Sequence, residues 1–144
     1  MKPILASLFF SLSLNAADFH DWTPMSPRDE IRPQFSSGER KLIITHDQRE
    51  GLDGWFQKTF EVKGGAFYCF EAQRKTTDVT NLRQSCLVRV LWQDENGHGV
   101  KMDAAPEYLT PGLPMPSAEP EYPADGATDA EGWTTASGVY RAPS

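Results

Sequence analysis

Two cysteines and three histidines are the side chains of this sequence best suited to nucleophilic catalysis. Cys69 and Cys86 each lie within an apolar run, where a cysteine usually behaves as a small hydrophobic residue. The histidines are far apart in the sequence, at His20, His46 and His98. The chain also lacks the Gly-x-Ser-x-Gly motif of a nucleophile elbow. These residues therefore do not predict a catalytic site.

Acidic pairs are the next candidates, because paired carboxylates hydrolyse glycosidic bonds and bind calcium. They are Asp29 with Glu30, Glu50 with Asp53, Asp94 with Glu95, and Asp129 with Glu131. A glycosidase needs its two carboxyls about 5–10 Å apart across a cleft, whereas adjacent acidic residues in turns more often form the turn itself. A structural Ca²⁺ is the other option, with Asp29 and Glu30 as its candidate ligands. We predict no other cofactor.

Tryptophans supply the platforms on which sugar rings stack, and the chain has four: Trp22, Trp55, Trp92 and Trp133. Trp92 follows Val88 and Val90 in strand alternation, which predicts a core position. Trp55 instead alternates with Gln57 on a polar face and follows the polar segment 46–54. A site of this kind combines an aromatic surface with a few polar groups. The sequence therefore predicts Trp55 and Gln57 as ligand-binding residues, together with Arg49 and Asp53 from that segment.

The N-terminus has the pattern of a secretory signal peptide over residues 1–17. Lys2 precedes an apolar run at residues 4–14, and small residues follow at 15–17. The run is shorter than the roughly 20 residues that a membrane span requires, so no transmembrane segment is predicted. We expect an exported protein, located in the periplasm, on the cell surface or outside the cell.

Export bears on Cys69 and Cys86, because disulfides persist outside the cytoplasm. Each cysteine falls in a predicted strand, so a bridge is one option. The alternation argues for two free thiols instead, since Cys69 points away from the expected core while Cys86 points toward it. Two cysteines with such directions cannot form a disulfide.

The composition predicts one domain with a hydrophobic core. The 144 residues are 39% hydrophobic and carry a net charge of −6. Nucleic-acid binders present a basic footprint, so a nucleic-acid partner is not expected.

Short apolar and β-branched runs predict an antiparallel all-β domain over residues 18–144. The strands are predicted at residues 19–22, 34–35, 41–45, 55–62, 66–75, 85–93, 100–102 and 132–141. The runs 55–62 and 66–75 are rich in aromatic residues and flank Gly64-Gly65, which predicts an aromatic hairpin. Residues 103–132 contain six prolines, which predicts a long surface loop.

Three segments in this order resemble a known group of modules: GLDGWFQKTFEVKGGAFYCFEAQRK at 51–75, SCLVRVLWQDENGHGV at 85–100 and TDAEGWTTASGVYRAPS at 128–144. They are similar to carbohydrate-binding-like jelly-roll modules of the galactose-binding-domain type. TPMSPRDEIRP at 23–33 and REGLDGW at 49–55 also resemble the N-terminal module of exported planctomycete carbon–nitrogen (nitrilase-like) hydrolases.

The resemblance implies an antiparallel β-sandwich and a non-catalytic, carbohydrate- or ligand-binding role beside a hydrolase domain. Such modules continue past the Ala-Pro segment with at least one more strand pair, so one strand would lack its partner here. A truncated copy is the expected explanation, and closure by a partner chain or an unusually small fold are the other options. Two alternatives stay open: a fragment of a carbon–nitrogen or glycoside hydrolase, and a structural or interaction domain that uses the proline-rich segment. The partner is accordingly carbohydrate or a C-terminal catalytic domain.

Overall fold

The fold is all-β, with three small antiparallel sheets in the residues that the computed structural model describes, 21–38 and 41–144. The strands are β1 Thr23–Met25, β2 Gln34–Gly38, β3 Lys41–Thr45, β4 Trp55–Gln57, β5 Phe67–Lys75, β6 Ala124–Thr128 and β7 Trp133–Arg141. A 3-10 turn spans Asp29–Ile31, and one helical turn, α1, spans Leu82–Ser85. The predicted signal peptide lies outside the described residues.

The described chain divides into two compact units after Glu61. We call residues 21–61 the N-terminal unit and Val62–Ser144 the C-terminal unit. The first contains the two-stranded ribbons β1–β4 and β2–β3, and the second contains the three-stranded sheet β5–β7–β6.

In the N-terminal unit, β3 occupies the predicted residues 41–45, and β2 begins at the predicted Gln34. The first strand was misplaced by the sequence pattern. Residues 21–22 are not in a strand, residues 19–20 are not described, and β1 begins at Thr23. β1 contains Pro24, which a two-stranded ribbon tolerates because proline is confined to edge strands.

Aromatic rings hold the N-terminal unit together. Phe35 of β2 meets Phe56 of β4 edge to face, with centroids 5.1 Å apart. The Arg32 guanidinium lies 4.9 Å from the centre of the Phe35 ring. Gly54 leaves room for this packing, since a Cβ there would lie 2.7 Å from both Pro33 and Phe35.

The predicted aromatic hairpin is wrong. β4 ends at Gln57 and pairs with β1, whereas β5 pairs with β7. The turn at 63–65 does form, with Gly65 at φ 76°, but its Gly65 N–H donates to the Ala142 carbonyl. The turn therefore directs the chain onto the segment that follows β7.

β7 is the centre of the C-terminal sheet. Nine consecutive residue pairs join it to β5, and β6 pairs on its other side with a register shift between Asp125 and Thr128. β7 therefore has a neighbour on both edges. The predicted loop 103–132 is wrong over Ala124–Thr128, which forms β6.

The predicted strands 85–93 and 100–102 are replaced by isolated bridges. Val90 pairs with Glu121, Gln93 with Gly99, and Lys101 with Ser117. The facing segment contains Pro116, Pro120 and Pro123, and prolines lack the N–H that a continuous ladder needs. Asn96-Gly97, a dipeptide typical of turns, does form one, with Gly97 at φ 81° and its N–H donating to the Asp94 carbonyl.

Candidate functional site

The β1–β4 ribbon brings two predicted ligand residues side by side. Trp55 faces Met25 across the ribbon, and Gln57 faces Thr23. The half-buried Trp55 indole donates its N–H to the Gln57 side-chain oxygen at 3.1 Å. These four residues share one face, because alternate residues of a strand point the same way. We call this face the ribbon surface.

Arg49 lies elsewhere in the N-terminal unit and binds the chain itself. Its guanidinium donates to the carbonyls of Glu30 at 2.9 Å and Arg32 at 2.7 Å, and to the Asp47 carboxylate at 2.7 Å. The hydrogen bond from the Arg49 side chain holds the pKa of Asp47 below its ordinary value. Arg49 therefore positions the 3-10 turn.

Asp53 is bound to the same 3-10 turn through its backbone. Its N–H donates to the Ile31 carbonyl at 2.9 Å, and its own carbonyl accepts from the Ser26 hydroxyl at 2.7 Å. The structure thus brings Arg49 and Asp53 to one turn and Trp55 and Gln57 to one ribbon face.

The calcium option for Asp29 and Glu30 gains no support. Within residues 21–38 and 41–144, no three His, Cys, Asp or Glu side chains gather as a metal site would require. Glu30 contributes its backbone carbonyl to Arg49.

Two of the other acidic pairs are turn formers. Asp94 accepts from the N–H groups of Asn96 and His98, and Asp129 accepts from those of Glu131 and Trp133. The His98 N–H is the main cause that lowers the pKa of Asp94. This geometry matches the turn role considered for these pairs.

Both cysteines are free thiols, so the disulfide option is not realised in the structure. Cys69 is exposed on β5 opposite Val139, on the side of the strand that the alternation predicted. Cys86 follows α1, and its carbonyl accepts a hydrogen bond from Arg74 at 2.8 Å.

A cavity of about 420 Å³ in the C-terminal unit was missed by the sequence patterns. We call it the Trp92 groove. Its walls are Trp92, Met102, Asp103, Ala104, Ala118, Glu119, Pro120, Glu121 and Pro143. The prediction that Trp92 fills a core failed because residues 85–93 do not form a strand. The half-buried indole instead borders this cavity, with its N–H 3.5 Å from Glu121 Oε1.

Three acidic residues, Asp103, Glu119 and Glu121, line the Trp92 groove together with the indole. Asp103 accepts from the Ser144 N–H and from Arg141, and the Ser144 contact is the main cause that lowers the pKa of Asp103. Burial raises the pKa of Tyr140, and the negative charge of Glu121 adds to that shift. The groove therefore offers an aromatic wall and acceptor oxygens to a ligand that donates hydrogen bonds.

A second cavity in the same unit, of about 570 Å³, is bordered by the ion pair of Arg74 and Asp125. Arg74 also donates to the Cys86 carbonyl. Because both contacts engage the Arg74 guanidinium, fewer polar groups are left to bind a ligand in this cavity than in the Trp92 groove.

Comparisons with known proteins returned no matching family model, curated protein or solved structure. In the part of the chain that the structure describes, no helix has the length and apolar character needed to cross a membrane.

Proposed function

We propose that this chain is an exported, non-catalytic β-sandwich module of jelly-roll type that binds carbohydrate in the Trp92 groove. The observation that carries the proposal is the combination, in one cavity, of the Trp92 indole with the carboxylates of Glu119 and Glu121. A sugar ring has an apolar face that stacks on an indole and hydroxyl groups that donate to carboxylates.

The non-catalytic part of the proposal is supported by what the acidic groups already bind. Asp94 and Asp129 cap turns, and Asp103 holds Arg141 and Ser144. Carboxylates engaged in this way organise the backbone.

Binding of neutral polysaccharides, measured by affinity electrophoresis and calorimetry, tests the carbohydrate assignment. We expect Trp92→Ala to weaken binding at least tenfold, since stacking on the indole is lost. Trp133→Ala is the matched control, because this tryptophan begins β7 and does not line the groove. Failure of the wild-type protein to bind any glycan of the panel would contradict the proposal.

The ribbon surface is the alternative location for the same ligand, because the hydrogen bond between Trp55 and Gln57 orients an aromatic group beside a polar one. We expect Trp55→Ala to leave binding unchanged. A loss of binding in Trp55→Ala, together with unchanged binding in Trp92→Ala, would locate the site on the ribbon surface.

Export and a neighbouring hydrolase domain belong to the same proposal and rest on the sequence. The pattern of residues 1–17 supports cleavage before residue 18, and N-terminal sequencing of the secreted protein checks it. The resemblance to exported carbon–nitrogen hydrolases supports a catalytic domain encoded downstream of Ser144. Unrelated genomic sequence after a stop codon would contradict that part.

A further inference from the structure

The outer edge of β5 is a long, regular strand edge. β5 spans nine residues without a register shift, and side-chain exposure alternates strictly along it. β7 pairs with one side of β5, and no other described strand pairs with its second side. Such an edge presents a row of backbone donors and acceptors to another strand.

The hydrogen bonds just before β5 show which residues face outward. The Ala142 N–H donates to the Ala66 carbonyl, so Ala66 points its backbone groups toward the β7 side. Backbone direction alternates residue by residue in an antiparallel ladder. The outward N–H and C=O groups therefore belong to the odd-numbered residues of the strand, Phe67, Cys69, Glu71, Gln73 and Lys75.

Two of these residues are exposed and oppositely charged, Glu71 and Lys75. Their spacing of four makes the edge complementary to itself. When two copies of β5 run antiparallel about Gln73, each Glu71 lies directly opposite the Lys75 of the other copy. Full overlap of the two strands would instead place Glu71 against Glu71, and like charges in that position are unfavourable.

We propose that β5 pairs with β5 of a second copy of this chain, antiparallel, with Gln73 on the twofold axis. The two three-stranded sheets then become one continuous sheet of six strands. The interface is isologous, as in most homodimers. Its ladder includes the outward backbone groups of residues 71, 73 and 75 in both copies.

Charge reversal tests the pairing in solution. Sedimentation equilibrium of the full secreted chain, from micromolar to sub-millimolar concentration, is expected to show a dimer. Glu71→Lys alone and Lys75→Glu alone should each weaken the dimer about tenfold, because like charges then oppose. The double variant Glu71→Lys/Lys75→Glu should regain wild-type association. Circular dichroism confirms that each variant keeps its β content.

Cross-linking tests the register. In a background of Cys69→Ser and Cys86→Ser, oxidation of Gln73→Cys should give a disulfide-linked dimer. Directly opposed residues in a hydrogen-bonded pair have Cα atoms about 5.5 Å apart, which suits a disulfide. Glu71→Cys in the same background is the control, because its own copy then lies four residues away, about 13 Å along the strand.

Several results overturn the proposal. A monomer at all concentrations excludes a second copy as the occupant of the edge. Cross-linking by Glu71→Cys in place of Gln73→Cys shows the full-overlap register. Dimerisation unaffected by either single charge reversal shows that another surface joins the copies.

Discussion

The two units use different means to position their backbones. Strands of the N-terminal unit are three to five residues long, and side chains join its segments: Arg49, Arg32 and Ser26 all donate to carbonyls distant in sequence. In the C-terminal unit, two nine-residue strands form a continuous ladder. The stability of the N-terminal unit should therefore depend more on single side chains, and that of the C-terminal unit more on main-chain geometry.

The largest effect is expected from Gly54→Ala in the N-terminal unit. The new Cβ would lie 2.7 Å from the rings of Pro33 and Phe35, and Phe35 is already in contact with Phe56. Overpacking of this kind costs about 1–3 kcal/mol. Urea unfolding measures it. Gly38→Ala is the matched control, since its nearest neighbour atom is 3.8 Å away. Equal stability of the two variants would show that the Phe35 ring moves aside without loss of stability.

A smaller effect, about 1 kcal/mol, is expected for Gly138→Ala in the C-terminal sheet. The added Cβ meets the Tyr140 ring, but that side chain has a rotatable bond and can move aside. Gly99→Ala serves as the control, because Ser117 lies at an ordinary contact distance of 3.5 Å. In the double variant Gly138→Ala/Tyr140→Leu we expect less than additive loss, since the clashing ring is gone. If the stability losses of the two single variants added up fully, the contact between the new Cβ and the Tyr140 ring would be contradicted.

Acid should loosen the C-terminal end of the C-terminal unit. The pKa of Asp103 is lowered in the folded state, chiefly by the Ser144 N–H and further by Arg141. Its stabilising contribution is present above the ordinary aspartate pKa of about 4 and is lost as the pH falls through the lower, folded value. Asp103→Asn should therefore show a smaller drop in stability between pH 7 and pH 3 than the wild type. Glu107→Gln, on an exposed residue, should retain the wild-type drop.

The smallest effect is expected from Arg49→Lys, since this side chain is about half exposed. A lysine cannot reproduce the guanidinium fork that contacts two carbonyls and Asp47. We expect a slight decrease in the urea midpoint and an upward move of the Asp47 pKa, observed by NMR titration. Arg28→Lys, also in an exposed position, should change neither quantity. An unchanged Asp47 pKa in Arg49→Lys would contradict the stated cause.

The positions of several strands could be predicted from the sequence, because strand-forming character is local even where the pairing is distant. Lys41–Thr45 matched its prediction, as did β2 at its start and β7 within one residue. Turns were also predictable, because Gly65 and Gly97 adopt the positive φ that glycine permits. The outward direction of Cys69 followed from alternation alone.

Features that depend on a distant partner were not predictable. Trp55–Gln57 and Phe67–Lys75 lie on either side of a turn, yet they pair with β1 and β7 respectively. The Trp92 groove depends on a bridge between Val90 and Glu121, thirty-one positions apart in the chain. The alternation of apolar residues in 85–93 does not indicate this bridge.

By itself, the sequence determined the strand-forming character of this protein, its turns and the alternation of faces, because these follow from steric preferences of neighbouring residues. Only the tertiary structure decided which strands pair, that β7 is central, and that Trp92 borders a cavity. The physical reason is that backbone hydrogen bonding is the same for every residue except proline, so register is selected by packing and turn geometry across the fold.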